Sequence, residues 1–100
     1  MKIKMERVDR NSVVLFLSGR LDTTSASTFE RKLKQFVERS IDITLDFKEL
    51  NYISSSGLHV LLQTLKVMNK NKRKFIIKNI CELVREVFEM TGFIDLITVE

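Results

Sequence analysis

Proline and tryptophan are absent from this chain, and cysteine and histidine occur once each among its 100 residues. Without proline or any low-complexity tract, nothing in the sequence reads as an interdomain linker. The three glycines, Gly19, Gly57 and Gly92, are too dispersed for the glycine-rich loops that cradle nucleotide phosphates. Cys81 stands alone, which excludes an intrachain disulfide and fits a reducing compartment. One cysteine and one histidine cannot build a zinc site, and the acidic residues lack the spacing of a calcium loop. No cofactor is expected. No apolar run approaches the ~20 residues that span a bilayer, and Met1–Glu6 has no apolar signal core. The expectation is a soluble, cytoplasmic protein with no membrane partner.

What is present is the composition of one ordinary globular domain, 44% hydrophobic and 30% charged, spanning residues 1–100. A chain of this size buries roughly 60–70% of its unfolded surface, enough for one core. The net charge of +4 raises nucleic acid as a partner. Yet the clearest basic cluster, Lys70–Lys74, has no interleaved aromatics and falls between a helical and a strand pattern. It reads as solvated loop charge or as attraction to an acidic partner, and no direct nucleic-acid contact is expected.

Ile3 and Met5 alternate with Lys2, Lys4 and Glu6, the pattern of a half-exposed strand, and Asp9–Ser12 reads as a turn. The apolar run Val13–Leu17 predicts a strand covered on both faces and ended by Gly19. Thr23, Thr24 and Ser25 offer capping oxygens to a helix whose inner stripe is Ala26, Phe29, Leu33, Phe36 and Val37. A strand over Ile41–Phe47 follows, then a loop and a second helix with Leu58, Leu61, Leu62 and Leu65 inward, ending near Asn69. Phe75–Ile77 reads as a short buried strand. The third helix turns Ile80, Leu83, Val84, Val87 and Phe88 inward and stops at Gly92, and Leu96–Val99 adds a last strand. The fold class is α/β: a mixed, mostly parallel sheet of four to five strands with three to four helices, the opening pair antiparallel. In such sheets the functional surface lies beyond the carboxyl ends of the strands, where the Gly19 turn and the Asn51–Leu58 segment become neighbours.

That second segment, Asn51-Tyr52-Ile53-Ser54-Ser55-Ser56-Gly57-Leu58, sets three serines and a glycine where a strand gives way to a helix. Two readings stand. The hydroxyls can serve only to cap the unpaired N–H groups of the first turn and to shape the turn. Alternatively a hydroxyl of this cluster is a phosphate acceptor, because a helix start favours negative charge. A hydrolase reading pairs Ser56 with His59, but the G-x-S-x-G elbow is missing. His59 reads more simply as an exposed polar residue or a partner contact. Asp22, Asp42 and Asp46 form either a carboxylate group or three separate turn and strand-edge residues.

At these residues the chain resembles a STAS domain, and among those the bacterial anti-sigma factor antagonists. Gly19-Arg20-Leu21-Asp22-Thr23-Thr24-Ser25-Ala26 resembles the family's G-x-L-D-x-x-x-A turn. Leu45-Asp46-Phe47 through Ser54-Ser55-Ser56-Gly57-Leu58 resembles its strand, loop and D/S-S-S/T-G-L helix start, with Ser54 where the family often has Asp. The resemblance implies that Ser56 is the phosphorylated residue, projecting outward while Ser55 caps the helix, and that Asp22, Thr23, Ser54, Ser55, Ser56, Gly57 and Leu58 meet the partner. It implies a partner-switching cycle in transcription regulation, of the kind used in stress response or sporulation. The unphosphorylated chain would bind an anti-sigma factor with ATP-dependent serine kinase activity, and a serine phosphatase would reset it. ATP and metal would belong to the partners, and this chain would catalyse nothing. The alternative is a STAS subunit of a larger assembly, such as a lipid transporter or stress-signalling scaffold, docking without a phosphate cycle.

Overall fold

A computed structural model describes residues 1–100. The strands are β1 (Lys2–Asp9), β2 (Ser12–Leu21), β3 (Asp42–Ile53), β4 (Phe75–Lys78) and β5 (Thr98–Val99). The helices are α1 (Thr23–Glu38), α2 (Ser55–Lys70) and α3 (Glu82–Thr91), followed by a 3₁₀ turn at Phe93–Asp95. One sheet runs in the order β1-β2-β3-β4-β5. β1 and β2 form the expected antiparallel hairpin, and every later neighbour is parallel.

Strand order that never reverses has a consequence for the layers. Right-handed crossovers taken always in the same direction put all helices on one face of the sheet. Burial agrees: Val13, Leu15, Leu17, Ile43, Leu45, Phe47, Phe75 and Ile77 lie in the core, while Phe16 on the opposite face is 38% exposed. Val14, Thr44 and Ile76 on that face are only half-buried. The apolar runs over Val13–Leu17 and Phe75–Ile77 therefore mark strands covered on one face, not two. Their second faces carry apolar side chains into solvent.

β3 departs furthest from expectation, because it runs on through Lys48–Ile53 where a loop was expected. The reason lies in its pairing. Phe16 opposes Asp46 but Ser18 opposes Glu49, and Gly19 opposes Leu50 but Arg20 opposes Tyr52. Each step leaves one extra residue on β3, a bulge that resets the alternation of inward side chains. Buried positions accordingly pass from Leu45 and Phe47 to Leu50 and Ile53, a spacing of three that hides the strand from a period-two reading. Gly19 does not end β2 but sits inside it at φ +98°, which glycine adopts without a side-chain clash.

The helices bury Ala26, Phe29, Leu33 and Phe36 from α1, Val60, Leu61, Leu65 and Met68 from α2, and Val84 and Phe88 from α3. The α2 stripe is thus rotated from the expected one, with Leu58 and Leu62 at its half-buried margin. Leu83, expected inward, is 46% exposed. Phe88 meets Phe93 edge to face at 5.0 Å, closing the core under the last turn. Gly92 ends α3 in the left-handed conformation at φ 78°, as its position predicted. The basic cluster after α2 is partly structural: Arg73 sets Nε 3.1 Å from Asp42 Oδ1 and donates from Nη2 to Asn11 O at 3.2 Å.

Candidate functional site

The site is built where β2 and β3 end together. Leu21 opposes Ile53, and the Ser54 N–H donates to Leu21 O at 2.8 Å, so the ladder continues to the last residue of each strand. The next residue on each chain, Asp22 or Ser54, opens a helix. Two helix starts consequently emerge side by side, α1 packed against α2. The neighbourhood expected of the two segments is real.

Capping falls one residue earlier than the sequence suggested at both places. Asp22, not Thr23, Thr24 or Ser25, caps α1: its Oδ1 accepts from Thr24 N–H and Ser25 N–H, both at 3.0 Å. Ser25 answers by accepting the Asp22 N–H at 2.9 Å and donating to Arg20 O at 2.9 Å. This closes a reciprocal capping box with serine in the place usually held by Glu or Gln. The Asp22…Ser25 spacing was the sequence signal for it. These bonds hold the Asp22 carboxyl below its ordinary pKa; the Ser25 N–H is the largest cause, burial opposes it, and the Ser25 hydroxyl, the Thr24 N–H and the Arg20 charge assist.

At α2 the cap is Ser54, whose Oγ accepts from Gly57 N–H at 3.3 Å. Ser55 and Ser56 are therefore the first two helical residues, Ser55 exposed and Ser56 half-exposed. Gly57 is buried, and its role is packing rather than an unusual dihedral. A Cβ there would lie 2.6 Å from Leu21 Cγ and 3.2 Å from Ile53 Cγ1, so only glycine lets α2 start this close to the strand ends. Leu58 is half-buried against the core.

Across the gap between the two helices, Ser56 Oγ lies 3.4 Å from Thr23 Oγ1. Thr23, Ala26, Glu30, Ser55, Ser56 and His59 line the open groove there. Ser56 thus pairs with Thr23 rather than with His59, and no triad is assembled. Neither helix has an acidic residue in its first turn. One residue earlier on each strand, the Arg20 guanidinium stacks over the Tyr52 ring at 4.0 Å. Asp42 and Asp46 are engaged elsewhere, and no three candidate metal-ligating side chains cluster. Asp42 accepts from Lys74 N–H at 2.9 Å, and Asp46 from Lys48 N–H at 2.9 Å and Asn79 Nδ2 at 3.1 Å. No helix is long and apolar enough to cross a membrane.

Fold and site together define a one-faced α/β domain that presents hydroxyls at paired helix starts. The STAS domain family matches residues 2–100, and the chain belongs to that family. It is 31% identical over 100 residues to the Bordetella bronchiseptica protein BtrV, provisionally named an anti-sigma factor antagonist, covering 99% of this chain and 85% of BtrV. It is 28% identical over 91 residues to the anti-sigma-B factor antagonist of Bacillus subtilis strain 168, covering 91% of this chain and 84% of that one. Among solved structures, the anti-sigma factor antagonist SpoIIAA in its unphosphorylated form superimposes with a TM-score of 0.85 at 24% identity, covering 99% of this chain and 88% of that one. Phosphorylated SpoIIAA, a Bacillus cell fate determinant, gives 0.78 at 23% identity, covering 99% and 91%. The fold is the same in both.

Proposed function

We propose that this chain is an anti-sigma factor antagonist that works by partner switching at Ser56. In its unphosphorylated form the surface of Asp22, Thr23, Ser54, Ser55, Ser56, Gly57 and Leu58 binds an anti-sigma factor with serine kinase activity, which releases the sigma factor. Asp22, Ser54 and Gly57 hold that surface in shape; Thr23, Ser55, Ser56 and the exposed part of Leu58 make the contacts. The kinase transfers the γ-phosphoryl group of ATP to Ser56 Oγ, ADP leaves, and a serine phosphatase later hydrolyses the ester. ATP and metal are supplied by those partners.

The observation that carries this reading is the division of labour among the three serines. Ser54 does the capping of α2. The capping explanation thus uses up one hydroxyl and leaves Ser56, whose partner is another hydroxyl at 3.4 Å, free to be modified. Phosphate there adds roughly −1.5 to −2 charges at a helix start, which tolerates them without unfolding. What changes is the surface a partner meets. The names of the relatives and the two forms of SpoIIAA support the same reading.

The test is binding to the cognate anti-sigma factor. Ser56→Ala is expected to bind and to take up no phosphate; Ser56→Asp is expected to bind at least about ten-fold more weakly, a loss of roughly 1.4 kcal/mol. Equal affinity of Ser56→Asp and wild type would contradict the proposal.

A further inference from the structure

Two side chains in the groove are left unexplained by packing. Thr23, on α1, is exposed and has Ser56 Oγ as its hydrogen-bond partner at 3.4 Å. His59, one turn beyond Ser56 on α2, is exposed and lines the same groove. The charged groups facing this space are few. Glu30 lines it from α1. Asp22 stands at the start of α1, its Oδ1 already engaged by two N–H groups and the Ser25 hydroxyl. A phosphate on Ser56 would arrive within reach of one hydroxyl donor from the other helix and one ionisable base from its own.

We propose that the groove is a built-in receiver for the Ser56 phosphate: Thr23 Oγ1–H donates to a phosphate oxygen, and the His59 imidazole faces it from one turn further along α2. The phosphorylated serine is thereby clamped across α1 and α2 by the chain itself. This rests on the reading of Ser56 as the switch and adds the residues that hold its phosphorylated state. Charge-assisted hydrogen bonds of this kind are stronger than neutral ones, and they favour the dianion of the phosphate. Glu30 works against the clamp and limits its strength.

The experiment installs phosphoserine at position 56 during translation, so its outcome does not depend on any kinase. Phosphorus NMR then follows the second ionisation of the phosphate in the folded chain, in the urea-unfolded chain, and in folded Thr23→Val/His59→Gln. Both substitutions are at exposed positions, and a circular-dichroism melt checks that the variant is folded. The midpoint is expected to lie about half a unit or more lower in the folded wild type than in the unfolded chain, and most of that depression is expected to vanish in the double variant. A double variant that keeps the full depression would overturn the receiver, leaving the helix start alone as the cause, and so would an absence of depression in the wild type. Failure of a host kinase to modify Ser56 would instead count against the switch and leave this result standing.

Discussion

At the start of α1, one carboxylate oxygen accepts two backbone N–H groups at 3.0 Å, and a serine closes the box from the other side. At the start of α2, a few ångströms away, one serine accepts one N–H at 3.3 Å while the next two hydroxyls take no part in the cap. The two starts share a strand register, with Leu21 opposite Ile53, yet only the first has committed its polar groups to the fold. The difference separates frame from switch. A locked start can hold a surface in place, whereas an under-used one can accept a covalent change without losing its cap.

The comparison can be broken at its base, where both starts lean on one packing contact. Gly57→Val puts side-chain atoms into space already held by Leu21 and Ile53, and overpacking of this kind costs about 1–3 kcal/mol. Urea denaturation is expected to show this as the largest loss of the set, with the m-value unchanged. Next in size is Asp22→Ala, which opens the α1 box; it is expected to lower the urea midpoint more than Ser54→Ala does at α2. Equal losses at the two caps would erase the asymmetry.

Acid sharpens it further. The folded Asp22 carboxyl titrates below its ordinary value, so its contribution is present at neutral pH and above the unfolded pKa. It is lost as pH falls through the lowered folded value, below the usual carboxylate range. Asp22→Asn is expected to flatten that acid limb in a pH series of thermal melts, and an unchanged limb would place the dependence elsewhere. Ser54→Ala, removing a single long cap bond, is expected to cost about 0.5–1 kcal/mol. Ser56→Ala comes last, within about 0.5 kcal/mol of wild type, because its hydroxyl holds up nothing. A large loss there would mean that Ser56 is a structural residue.

Much of this was legible in the sequence, for identifiable reasons. The α1 stripe of Ala26, Phe29, Leu33 and Phe36 and the Gly92 stop follow local rules that tertiary contacts did not override. The serine cluster stood out because three hydroxyls before a helix are unusual, and its nearness to the Gly19 segment followed from parallel strands. The caps fall at Asp22 and Ser54 rather than at the hydroxyls after them, since neighbouring polar side chains, carboxylate or hydroxyl, are interchangeable locally and the register follows the packing of Ala26 and Gly57. The second half of β3 was hidden by its bulges, which turn a period of two into steps of three. Phe16 misled for a different reason: a sheet that never reverses its order leaves one face to solvent, and no local pattern announces that. The Thr23–Ser56 approach joins residues 33 apart and needed the fold to be seen.

The most direct measurement is peptide-level phosphosite mapping of the chain purified from its own host across growth and stress conditions, beside Ser56→Ala. A single phosphate on Ser56 that rises and falls with condition, and that disappears in Ser56→Ala, is the expected result. A chain that is never phosphorylated, or one modified elsewhere while Ser56 stays bare, would contradict partner switching at this residue and favour a docking subunit of a larger assembly.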